Sequence, residues 1–92
     1  MISRKAIVGF GKVHPDAFPS LSNWFRIARR AGWKNFADLR EDFGSADQVD
    51  RRTVFNIGGN KYRLIARVNF RTQRIFVLAI MKHDEYDRGA WK

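Results

Sequence analysis

The sequence predicts an α+β domain, with N-terminal helices packed on one face of a small, mainly antiparallel sheet. Three observations predict it. Apolar residues recur at helical spacing through the first half of the chain. Apolar and polar residues alternate through the second half, and the connections between its strands are short enough for an antiparallel meander. The 92 residues fit one domain, taken as 1–92, and 45% hydrophobic residues supply the apolar area that a packed interior needs.

Ser3 is placed to cap a first helix in which Ala6, Ile7, Phe10 and Val13 recur at helical spacing, although Gly9 and Gly11 weaken it. His14-Pro15-Asp16 then ends it, because the residue before a proline is pushed out of the helical region. His14 reads as a residue of that junction. A second helix follows, roughly to Ala31, with Pro19 near its start and Gly32 as its stop. Leu21, Trp24, Phe25 and Ala28 form its buried stripe, and Arg26, Arg29 and Arg30 lie mostly off it. A short third helix over 36–43 places Phe36, Leu39 and Phe43 on one side and its acids on the other. Trp24 and Trp33 read as core.

The second half reads as sheet. A strand over 53–57, a tight turn at Gly58-Gly59-Asn60 and a strand over 61–70 come first. Asn60 suits a left-handed turn position. A connection at Arg71-Thr72-Gln73 leads to a strand over 74–81, apolar enough to sit centrally, and a helix or turn over 84–91 closes the chain. In the second strand Tyr62, Leu64, Ala66, Val68 and Phe70 point one way, and Lys61, Arg63, Ile65, Arg67 and Asn69 the other. The first set suits the helical layer. The second lines an open face with three cations, with alternate residues roughly 7 Å apart.

Charge carries the first functional information. Eighteen Lys and Arg against nine Asp and Glu leave a net charge of +9. No acid lies between Arg51 and His83, yet that stretch holds Arg51, Arg52, Lys61, Arg63, Arg67, Arg71, Arg74 and Lys82. Local salt bridges do not balance such a density, so a polyanionic ligand is the simpler account, and arginine suits phosphate better than lysine does. The absence of cysteine excludes a disulfide framework, a thiolate zinc site and a cysteine nucleophile. The longest apolar run, over 75–81, falls far short of a membrane span, and the N-terminus lacks the pattern of a signal peptide, so a cytoplasmic protein without membrane association is expected.

Several blocks carry a family resemblance. Trp33-Lys34-Asn35, Leu39-Arg40, the run from Val54-Phe55-Asn56-Ile57-Gly58-Gly59-Asn60 to Lys61-Tyr62-Arg63-Leu64, and His83-Asp84-Glu85-Tyr86-Asp87 resemble the HigB-type toxins of bacterial toxin–antitoxin modules, within the RelE-like superfamily. His14-Pro15-Asp16-Ala17 and Trp24-Phe25 also fit, so the resemblance covers nearly the whole chain. It implies a small α+β nuclease that cleaves mRNA, commonly on the translating ribosome. It also implies neutralisation by a HigA-type helix-turn-helix antitoxin, with DNA contacted only through that antitoxin. Only two residues precede Ser3, so an edge strand present there in some members is expected to be short or absent.

RNA can be cut without metal or cofactor when its 2′-hydroxyl attacks the adjacent phosphate and expels the 5′-oxygen. The protein then has to position the strand, stabilise the phosphorane and move protons. Asp84, Glu85 and Asp87 read as a solvated face rather than a metal site. Arg63 is the expected phosphorane stabiliser, with Lys61 and Arg67 flanking it; the competing reading is a solvated arginine on an exposed strand. His83 is the expected proton carrier, since surrounding cations favour the neutral imidazole, a base; packing at a strand end is the alternative. Tyr86, three residues on, can donate a proton, bond phosphate, stack on a base or simply pack against the sheet. Arg52, Asn56, Lys61, Arg67 and Lys82 complete the expected RNA-binding set. Trp91 reads either as a lid or as a frayed end. A non-catalytic RNA- or ribosome-binding module needs only the basic face, but the expected face lacks the paired aromatics of sheet-based binders. A DNA-binding regulator lacks a two-helix motif with a polar recognition face.

Overall fold

The computed structural model describes residues 5–59 and 61–89, together with all their side chains except that of Ala6. The expectations for Ser3, Asn60 and Trp91, and for a strand ahead of Ser3, lie outside the described residues. Helix α1 spans Lys5–Val13, a 3-10 turn spans Pro15–Ala17, α2 spans Phe18–Arg30 and α3 spans Phe36–Asp42. Strands β1 (Asp47–Val49), β2 (Arg52–Ile57), β3 (Tyr62–Asn69) and β4 (Arg74–Lys82) follow, then α4 (His83–Asp87). The strands form one antiparallel sheet in the order β1-β2-β3-β4, and the α+β arrangement holds.

Local chemistry explains the boundaries. Pro15 opens the 3-10 turn after His14, and Asn35 caps α3 by accepting from the Asp38 N–H at 2.9 Å. Gly58 and Gly59 hold φ of 63° and 70°, where a Cβ is disfavoured, in the β2–β3 turn. At the β3–β4 end, Asn69 Oδ1 accepts from the N–H groups of Arg71 and Thr72, an Asx-turn closing the hairpin.

Leu21, Trp24 and Ala28 of α2, Leu39 of α3 and Phe55, Leu64 and Ala66 of the sheet form the core, and Trp33 is buried with them. Trp24 packs edge-on against Phe55, which packs edge-on against Phe43. Gly11 permits a close approach, since a Cβ there would stand 2.6 Å from the Phe18 ring.

Helix α1 forms as expected and turns Ile7 and Phe10 inward, while Val13 at its end is exposed. One expectation needs correction. Strand β4 is an edge among the described residues rather than central; α1 and α4 pack against it, which accounts for its apolar composition. Strand β1 was not foreseen. Its pairing with β2 leaves a two-residue turn at Asp50 and Arg51, with φ of 49° and 67°, the primed conformation usually signalled by Asn-Gly.

Candidate functional site

Cross-strand register defines the open face. Asn56, Arg63 and Met81 stand side by side on β2, β3 and β4, and Val54, Ile65 and Ala79 form the next row. Arg52 and Arg67 follow by alternation, with Phe76 opposite Arg67. The face is therefore not a continuous cationic row. Ile65 and Val54 are buried in its centre and separate Arg63 from Arg67 by four residues, roughly 13 Å of strand. A register shift places Leu78 as an extra residue in β4, and Leu78 and Phe76 are each about half exposed. Phe76 is an aromatic ring beside Arg67 that alternation along β3 alone did not reveal.

Helix α4 completes one end of this face. The His83 N–H donates to the Lys61 carbonyl at 3.0 Å, which fixes the start of the helix against the β2–β3 turn, and the Glu85 carboxylate accepts from the Lys82 N–H at 3.4 Å. Tyr86 is thereby brought over the sheet, where the Arg63 guanidinium lies 5.7 Å from its ring centroid. Arg63 also donates from one guanidinium nitrogen to the Tyr62 carbonyl at 3.2 Å. His83 and Asp87, one helical turn apart, place Nδ1 and Oδ2 3.7 Å from each other, and both side chains are exposed. The ionic neighbour of His83 is thus an acid, in addition to the cations expected from the sequence. Asp84 is engaged in the same way by Arg88.

The structure brings Arg63, Tyr86 and Asn56 to one end of the open face, and Lys61 and His83 lie at the same end of the sheet in the cleft that Lys82 also lines. Arg52 and Arg67 share the face but sit towards the other end. Lys82 does not share it: its cross-strand partner is Tyr62, so the register turns it to the helical side. There Lys61, Tyr62, Lys82, His83 and Asp84 line an open cleft. Tyr62 anchors that side. Its hydroxyl donates to both carboxylate oxygens of Asp16 at 2.9 Å, and its ring meets those of Phe10 and His14. Burial first, then the hydrogen bond and the charge of Asp16, raise the phenol above its ordinary value. His14 thus belongs to an aromatic cluster as well as to the junction.

A guanidinium, an imidazole and a phenol at the edge of a basic face can hold a phosphate and move a proton beside it. A family model described as the RelE-like toxic component of a toxin–antitoxin system matches residues 17–89, a stretch that includes Arg63, His83 and Tyr86. The chain belongs to the HigB toxin family. It is 30% identical over 90 residues to the mRNA interferase toxin HigB of Escherichia coli strain K12, covering 95% of this chain and 86% of that protein. The mRNA interferase HigB of Shigella flexneri gives the same figures. The mRNA interferase HigB of Escherichia coli O6:H1 is 29% identical over 91 residues, 96% of this chain and 88% of that protein. As a HigB-family toxin the chain is one half of a toxin–antitoxin pair, and no helix among its described residues is long and apolar enough to cross a membrane.

Proposed function

We propose that this HigB-family toxin is an endoribonuclease that cleaves mRNA on the translating ribosome and is neutralised in the cytoplasm by a HigA-type helix-turn-helix antitoxin. The observation that carries the reading is the Arg63 guanidinium held over Tyr86 on the open sheet face, with His83 on the same short helix. In this mechanism the 2′-hydroxyl gives its proton to the His83 imidazole and its oxygen bonds to the adjacent phosphorus. The bond from phosphorus to the 5′-oxygen breaks, the leaving oxygen takes up a proton from water, and a 2′,3′-cyclic phosphate remains. Arg63 offers its N–H fork to the phosphorane oxygens, where charge grows during the step. Tyr86 fixes that guanidinium by its ring and presents its hydroxyl to the strand. Asn56 and Lys61 bind the flanking nucleotides, Arg52 and Arg67 track the backbone further along the face, and Lys82 meets the strand from the helical side. No metal is required by these steps.

Incubation with translating ribosomes, followed by primer extension on the mRNA, tests the reading. New internal RNA ends are the expected result. Protection of the message without new ends would instead make the chain an RNA- or ribosome-binding module, a reading to which the exposed Phe76 ring beside Arg67 lends a stacking surface.

A further inference from the structure

The end of the sheet remote from Arg63 carries a second surface. Between the last turns of α2 and the β3–β4 hairpin lies a cavity of about 360 Å³, with Phe25, Val68, Phe70 and Ile75 as its apolar wall and Arg29 and Gln73 at its polar side. Gln73 stiffens it. Its side-chain amide donates to the carbonyls of Trp33 and Phe70, both at 2.7 Å, which ties the hairpin to the loop after α2. A shallower depression shares Val68 and Phe70 with this cavity and adds Arg51, Arg67 and Arg71. The two depressions adjoin at Val68, Asn69 and Phe70, so an apolar hollow on the helical side lies next to an arginine-lined one at the end of β3. Among the described residues none of these four arginines forms an ion pair, and Arg29 instead lies 5.9 Å from the Phe25 ring centroid.

An apolar hollow next to unpaired guanidinium groups fits neither a bare phosphate backbone nor a neutral helix. It fits a peptide segment whose apolar side chains enter the apolar hollow while its Asp and Glu residues meet the arginines. From Arg63 to Asn69 is roughly 20 Å along β3, so an occupant of the two hollows is spatially separate from the Arg63–Tyr86 end. We infer that this pair of hollows is the docking surface for an acidic, amphipathic segment of the toxin's antitoxin. The inference rests on membership of a toxin–antitoxin family and not on the cleavage chemistry.

The test reverses the charge at two exposed positions outside the proposed RNA-binding set, in the double variant Arg29→Glu/Arg71→Glu. Affinity for the antitoxin is measured by calorimetry at low and high salt, and mRNA cleavage without antitoxin is measured in parallel. The expected result is at least a tenfold loss of antitoxin affinity at low salt, a smaller loss at high salt, and a parental cleavage rate. Unchanged affinity overturns the inference, as does a fall in cleavage that matches any fall in affinity, since the surface would then serve RNA or the fold. If neither protein cuts RNA while the affinity still drops, the docking surface stands and the nuclease reading fails.

Discussion

The hydroxyl of Tyr62 donates to both carboxylate oxygens of Asp16 at 2.9 Å, which joins the first residue of β3 to the turn between α1 and α2 across 46 positions of sequence. Arg63, the next residue, faces the opposite way, so this tether fixes the strand from behind while its cation stays on the open face.

That tether titrates. Burial and Asp16 raise the phenol, so the folded chain holds this proton more tightly than the unfolded chain does. The stabilisation is complete below a pH of about 10, the ordinary tyrosine value, and is lost as pH rises through the raised folded value. Thermal melts of the parent and of Tyr62→Phe are therefore expected to converge as pH is taken above about 10. A gap that stays constant or widens would contradict the assignment.

Removing the imidazole tests the proton carrier. His83→Ala is expected to lower the cleavage rate by about 10²–10⁴ without changing the melting temperature, because the side chain is exposed. Asp87→Asn, which removes only the neighbouring carboxylate, is expected to cost less. A folded His83→Ala protein that cuts at the parental rate removes His83 from the mechanism.

Much of the fold was legible because burial imposes periodicity. Leu21, Trp24 and Ala28 mark α2, and the alternation of Tyr62, Leu64 and Ala66 with Arg63 and Arg67 assigns the two faces of β3. Strand β1 was not legible, since three residues carry no periodicity and Asp50-Arg51 lacks the usual turn signal. The edge position of β4 was hidden by the apolar residues that α1 and α4 cover. The extra residue at Leu78 and the opposite facing of Lys82 depend on pairing register, which a single strand does not record. Within the site, the Arg63–Tyr86 contact joins motifs 23 residues apart, and only the return of α4 over the sheet brings them together.

Gly9 offers a test of local energetics. It lies inside α1 with nothing within 4 Å of where a Cβ would stand. Gly9→Ala is expected to stabilise the protein by about 0.5–1 kcal/mol, through reduced entropy of the unfolded chain and better helix propensity, as read from denaturant unfolding. Destabilisation would place that face of α1 against a surface absent from the fold described here.

Attack by the 2′-hydroxyl has its own signature. An mRNA with a single 2′-deoxyribose at the mapped cut is expected to resist cleavage there, and the unmodified message to yield 2′,3′-cyclic phosphate ends. Cleavage of the deoxy substrate at the ordinary rate would require a different nucleophile.

Arg63 is the residue on which the account turns. The most direct measurement is the single-turnover rate of mRNA cleavage on translating ribosomes by the parent, Arg63→Lys and Arg63→Ala, each checked for an unchanged melting temperature. A fall of about 10²–10³ is expected for Arg63→Ala, with partial recovery in Arg63→Lys, which keeps the charge but not the fork. A folded Arg63→Ala protein that cleaves at the parental rate would contradict it.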